Sequence, residues 1–228
     1  MNLFKEIKMS NELLTLLGTA AFLGITHTLA GPDHYVPFVA MSKARNWSIK
    51  KTSLITFLCG LGHVLGSVIL GVIGILIGTL IGKLEATEGT RGDIAGYLLA
   101  SFGLIYMIWG IKKAYQKKSG SHSHDFKNSN ADGKKASLTP WILFLIFVFG
   151  PCECLIPLLI YPAAKHGAGG IALVSTVFGI ATVGTMMTMV LAASFGLKKL
   201  KVNKLAKMSH ALAGASLLAC GVLIILGL

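Results

Sequence analysis

Charge is what this sequence has least of. Charged residues make up 13% of the 228, and only nine of them are Asp or Glu, whereas soluble domains carry roughly a quarter. That scarcity excludes an ordinary soluble domain, which needs a charged, hydrated surface. Cysteine is sparse too: the four, at 59, 152, 154 and 220, all sit in apolar stretches, which excludes a disulfide framework in loops. No Gly-x-x-x-x-Gly-Lys-Ser/Thr run occurs, so the chain is not expected to use ATP through a phosphate-binding loop. No enzyme chemistry is expected from it.

What is present is hydrocarbon. Hydrophobic residues reach 54%, and runs of the roughly 20 residues needed to cross a bilayer lie near 13–40, 54–82, 94–112, 138–162, 168–195 and 206–228. The reading is an all-α polytopic membrane protein with six transmembrane helices. The formal charge of +12 is uneven. Lys and Arg at 43, 45, 50, 51, 112, 113, 117, 118, 127, 134, 135, 198, 199, 201, 204 and 207 make 16 of the 21, and all lie in alternate connections. The remaining five, Lys5, Lys8, Lys83, Arg91 and Lys165, are balanced by Glu6, Glu12, Glu85, Glu88 and Asp93. By the positive-inside rule both termini are expected outside the cytoplasm, in a plasma (inner) membrane. The excess charge then encodes topology, and no nucleic-acid partner is expected. A cleaved signal peptide over residues 1–30 is not expected, since Glu6 and Glu12 cancel the amino-terminal lysines.

Polar groups interrupt the hydrocarbon at two places. The first is His27-Thr-Leu-Ala-Gly-Pro-Asp33-His34-Tyr-Val-Pro37. An ionised group at the centre of a membrane helix costs about 2.5 to 3.5 kcal/mol on lenient scales, so it marks a partner, a cavity or an ion. On an unbroken helix Asp33 would point roughly 120° away from His27. Gly31-Pro32 is expected to break the helix, because Pro32 has no amide to donate and crowds the Thr28 carbonyl. The break lets His27, Asp33 and His34 converge. The second place is Phe149-Gly150-Pro151-Cys152-Glu153-Cys154-Leu-Ile-Pro157. A shift of 119 lays Gly31-Pro32 on Gly150-Pro151, Asp33 on Cys152, His34 on Glu153 and Gly60 on Gly179. Two halves of three spans each must point in opposite directions. The fold expected is therefore two inverted three-helix repeats with broken helices 1 and 4, a plan shared by many secondary transporters. The halves are 1–112 and 138–228, joined by a Lys-, Ser- and Gly-rich cytoplasmic linker over 113–137 that carries His122 and His124.

In span two, His63 follows Cys59-Gly60-Leu61-Gly62, where small neighbours admit close approach by another element. Cys59, Cys220 and the Thr and Met residues of span five read as packing. Span three holds no acid, histidine or cysteine over 94–112 apart from its flanks and reads as scaffold. His27, Asp33, His34 and His63 from one half, with Cys152, Glu153 and Cys154 from the other, form a mixed N/O/S donor set. Such a set favours a borderline transition metal over magnesium or calcium. Cys152 and Cys154 would lie about 200° apart on a regular helix, so both join one site only if the segment unwinds.

Asp33-His34 with His27 upstream resembles the His-x-x-x-x-Asp-His signature of nickel/cobalt transporters and related urease-accessory-like permeases, although five residues separate His27 from Asp33. The resemblance implies a secondary transporter of a divalent transition metal, nickel or cobalt. The ion would be cargo, with no tightly bound cofactor, and the partners would be that ion and the lipid bilayer. The three-plus-three plan with Gly-Pro-Cys152 also resembles the thiol carriers of cytochrome c biogenesis, in which each half supplies a cysteine after a proline; here Asp33 stands in the first such place. That implies the alternative, a transmembrane thiol-disulfide electron carrier using Cys152 and Cys154. Sulfite or organosulfur export is a third, looser resemblance.

Overall fold

The computed structural model describes residues 2–78, 81–119, 138–150, 152, 154–199 and 208–227. They are helical almost throughout, and no strand occurs among them. Helix α1 (Asn2–Ala30) stops where Pro32 withholds an amide. A single 3-10 turn, Pro32–His34, follows, and α2 (Val36–Ala44) restarts with Pro37 in its first turn, where a missing amide costs nothing. The expected break of the first helix is thus present.

Asn46 (φ 50°) turns the chain, and Ser48 caps α3 (Ile49–Ile77) by accepting the Lys51 amide at 3.2 Å. Gly78, at φ 69° and ψ 30°, ends α3 in the left-handed conformation. Helix α4 (Ile81–Ser119) begins three residues later. The loop expected over 83–93 is therefore helix. Its charges suggested a connection, but they lie on the first turns of α4, where Thr87 and Thr90 bond back to the Lys83 and Ala86 carbonyls. Residues 113–119, expected as linker, also continue α4, while His122, His124 and the rest of 120–137 lie outside the described residues.

Helix α5 (Leu138–Phe149) ends at the second Gly-Pro, and α6 (Leu155–Lys199) follows. Gly167 (φ 59°, ψ −151°) divides α6. Its two arms fold back on each other, since Leu159 and Val174 share one apolar cluster and Gly170 faces Pro162. Helix α7 (Ser209–Ile225) closes the described chain. Among the described residues, four stretches are long and apolar enough to cross a membrane: Asn11–Ala30, Ile49–Ile77, Lys83–Gln116 and Leu155–Gly196; α5 and α7 are shorter apolar helices. Large apolar side chains such as Phe22, Leu54, Ile69, Ile105 and Ile180 point outward, as a lipid-facing surface requires.

Packing is organised in pairs. α4 runs along α7, α1 and α3 both lie on α6, α5 lies on α3, and α2 on α7. Glycines make the α4/α7 contact possible. Gly96, Gly103 and Gly110 recur every seventh residue on α4, as do Gly214 and Gly221 on α7. A Cβ at Gly103, Gly110, Gly214 or Gly221 would overlap main-chain atoms of the facing helix. Backbone-to-backbone approach of this kind replaces the hydrophobic driving force that is missing between helices in lipid. The α2–α3 turn is tied to the bundle by Arg45, which donates to Tyr106 Oη and Thr139 Oγ1, both at 3.1 Å. Tyr106 Oη in turn lies 2.8 Å from His210 Nδ1.

Candidate functional site at two broken helices

The first break gathers histidines. With Thr28 and Pro32 unable to pair, the 3-10 turn swings His34 back over the end of α1, and the Gly31 carbonyl meets the His34 amide at 3.1 Å and its Nδ1 at 3.2 Å. Asp33 Oδ1 also lies 3.2 Å from that Nδ1. Gly31 has to be glycine: a Cβ there would sit 2.6 Å from His34 Nδ1 and 2.7 Å from Asp33 Oδ1. His27, on the last turn of α1, places its ring centroid 4.7 Å from that of His34, and His63 of α3 stands 5.1 Å from His34 and 6.4 Å from His27. One nitrogen from each of the three rings lies within 4.8 Å of the other two. His34 and His63 are both only 3% exposed. Beside them is a cavity of about 20 Å³ lined by Asp33, His63, Phe147 and Gly150 among others, room for roughly one water.

The second break faces the first. Gly150 packs against His63, where a Cβ would meet Nδ1 at 3.0 Å, and Cys154 Sγ lies 4.0 Å from His27 Nδ1. In a continuous helix the Val148 carbonyl would accept the Cys152 amide. Here both ends of that missing bond are taken by α4: Arg91 Nη2 donates to Val148 O at 2.8 Å and reaches Gly150 O at 3.5 Å, while Glu88 Oε2 accepts the Cys152 amide at 3.0 Å. Glu88 is 0% exposed and pairs with Arg91, and Ser67 of α3 adds its hydroxyl to Glu88 Oε2 at 3.3 Å. A carboxylate this deep persists because charge and hydrogen bonds surround it.

Of the residues expected at the site, His27, Asp33, His34 and His63 come together, and Cys154 borders them. Cys152 is buried with Leu155, Leu159, Val174 and Phe178, its amide on Glu88. Glu153 and Pro151 lie outside the described residues. Cys59 and Cys220 are core thiols, as expected from packing. Sequence reasoning missed Glu88, Arg91 and Ser67. Their sequence signal was slight: Glu88 and Arg91 are three residues apart, the spacing of one helix face, which does not say what that face meets.

Fold and site together define an all-helical membrane protein with a histidine cluster at one broken helix and two cysteines at another. The family is narrower: the profile for the cytochrome c biogenesis protein transmembrane region matches residues 19–223, and the chain belongs to that family. The chloroplast protein FOR GROWTH AND FERTILITY 2 of Arabidopsis thaliana is 31% identical over 107 residues, 46% of this chain and 27% of that protein. The chain thus spans about a quarter of that relative's length. No solved structure matches. Family membership overturns the expectation of a nickel or cobalt secondary transporter. That expectation rested on Asp33-His34, a two-residue match, and the five-residue gap from His27 was already a departure from the permease signature.

Proposed function

We propose that this protein is a transmembrane thiol-disulfide electron carrier whose working pair is Cys152 and Cys154. The observation that carries this reading is the contact across the two breaks, with Cys154 Sγ 4.0 Å from His27 Nδ1; family membership supports it. Thiol-disulfide exchange needs a thiolate, and an adjacent imidazole that donates its N–H stabilises one. Cys154 is half-buried and Cys152 fully buried, which supports successive roles for them. Cys154 attacks a partner's disulfide and forms a mixed disulfide, releasing one partner thiol. Cys152 then displaces the second, leaving a Cys152–Cys154 disulfide and a reduced partner, so that two electrons and two protons leave the pair. On a regular helix the two thiols would lie roughly 200° apart, and the interruption of the helix between α5 and α6 supports their pairing.

The same reading includes six spans in two inverted repeats, 1–112 and 138–228, in a plasma membrane with both termini outside the cytoplasm and 113–137 inside. Supporting it are the shift of 119 between the Gly-Pro breaks, the division of α6 at Gly167, and the pairing of α1 with α6 and of α5 with α3, which exchange under such a repeat. The test is thiol trapping of the full-length protein with a maleimide after acid quench. Cys152 and Cys154 should shift between two-label and no-label forms with the redox state of added dithiol, and Cys152→Ser should accumulate a mixed disulfide at Cys154. A pair that stays reduced under oxidant in the wild type would overturn the proposal.

A further inference from the structure

We propose that His27, His34 and His63 hold a resident transition-metal ion, zinc being the best fit, as a fixed part of the protein and not as cargo. The site shares one residue with the cysteine chemistry above: His27 turns Nδ1 toward Cys154 and leaves Nε2 for the ion. Three elements, the end of α1, the 3-10 turn that follows it and the separate helix α3, each contribute one imidazole, and the candidate ligand atoms lie within 4.8 Å of one another. Tetrahedral zinc with Zn–N bonds of about 2.0 to 2.1 Å needs nitrogens roughly 3.3 Å apart, a closure within reach of small ring rotations.

The free nitrogens point to the same conclusion. His27 Nε2, His34 Nε2 and His63 Nε2 are buried without a hydrogen-bond partner among the described residues, while the His63 ring also meets the Phe147 backbone. Buried polar atoms are ordinarily satisfied, and three neighbouring imidazoles unsatisfied at once ask for a shared partner that accepts lone pairs.

His34 is also set up as a ligand. Its Nδ1 faces two acceptors, Asp33 Oδ1 and Gly31 O, each at 3.2 Å, so that nitrogen carries the proton and Nε2 presents its lone pair. A carboxylate holding a histidine from behind is the usual second partner of a zinc-bound imidazole. Asp33 also supplies a negative charge beside a dication in a low-dielectric interior, and the cavity it lines with His63 leaves room for a fourth ligand such as water. Three imidazoles with no hard oxygen donor in the cluster favour zinc over magnesium or calcium.

The experiment uses the full-length protein in detergent, produced with zinc in the medium and passed through a chelating column before elemental analysis. The expected result is about one zinc per chain in the wild type. His34→Gln and His63→Gln should fall to background, and Asp33→Asn should bind about 10- to 100-fold more weakly. Co²⁺ added to the metal-free protein should give the intense visible absorption of a four-coordinate ion, which His63→Gln loses while eluting as the same monodisperse species. Cys152→Ser and Cys154→Ser should keep full zinc, so failure of the carrier reading would leave this result standing. Wild-type protein without zinc, or zinc retained by the His34→Gln/His63→Gln double variant, would overturn the site.

Discussion

The two Gly-Pro breaks look alike in sequence and are held in different ways. At Gly31-Pro32 the loosened backbone is satisfied from within three residues: the Gly31 carbonyl takes the His34 amide and imidazole, and Tyr35 bonds back to Pro32 O at 3.3 Å. At Gly150 the missing helical bond between Val148 and Cys152 is replaced from another helix altogether, by Arg91 and Glu88 of α4. A self-capped break should survive changes elsewhere in the bundle. A clamped break should fail when its clamp fails, and the cysteines ride on the clamped one.

The largest effect should come from α4. Replacing Glu88 by Ala leaves the Arg91 guanidinium uncompensated in the interior and orphans the Cys152 amide. Breaking a buried pair in this way costs about 3 to 5 kcal/mol. The thermal midpoint in detergent should fall sharply, and Cys152 should react with a small maleimide that does not reach it in the wild type. A midpoint shift with Cys152 still protected would mean that the second break does not depend on α4. A double Glu88→Gln/Arg91→Gln variant should recover part of the loss, because no lone charge remains.

Next come the glycines themselves, which sharpen the comparison. Gly31→Ala drives a Cβ into His34 Nδ1 and Asp33 Oδ1, at 2.6 and 2.7 Å. That overpacking should cost about 1 to 3 kcal/mol and displace His34. Gly150→Ala meets His63 Nδ1 at 3.0 Å and the Phe147 carbonyl oxygen at 3.1 Å, both looser than the contacts at Gly31 and relieved by shifts of a few tenths of an ångström, so the cost should be smaller. Equal destabilisation of the two variants in chemical denaturation would erase the distinction between a rigid, self-capped turn and a softer, clamped one.

These differences follow what the sequence made legible. The first break could be read because all its parts are local: Gly31, Pro32, Asp33 and His34 are consecutive, and Pro37 announces the restart. His63 could be read as a lone intramembrane histidine among glycines. The clamp could not, because Glu88 and Arg91 counted as loop charges when hydropathy alone set the end of span two. Only the left-handed Gly78 shows that the connection is too short to contain them. The scaffold role expected for span three was similarly incomplete. Gly96, Gly103 and Gly110 gain meaning only when Gly214 and Gly221 face them, and no single helix reveals its partner. The weight placed on Asp33-His34 led to a metal transporter, whereas the family assignment draws on residues 19–223.

The smallest effect is the most discriminating, because it compares two buried hydroxyls that differ only in where they bond. Thr28, one turn before the first break, donates to the Gly24 carbonyl of its own helix at 2.8 Å. That carbonyl already serves the helix, so Thr28→Val, nearly isosteric, strands no partner and should change stability by less than about 0.5 kcal/mol. Ser67, on α3, reaches between helices to Glu88 Oε2 at 3.3 Å and accepts from Arg91 Nη1 at 3.3 Å. Ser67→Ala removes one of the hydrogen bonds that satisfy a buried carboxylate, and bonds to charged groups contribute about 1.5 to 3 kcal/mol. Geometry near the long limit places this one at the lower end, about 1.5 kcal/mol. If the second break is held from outside, Ser67→Ala should therefore be the costlier of the two and should raise the alkylation rate of Cys152, while Thr28→Val leaves that rate unchanged. Parallel denaturation curves with identical labelling rates would show that Glu88 and Arg91 hold the Cys152 segment without help from α3.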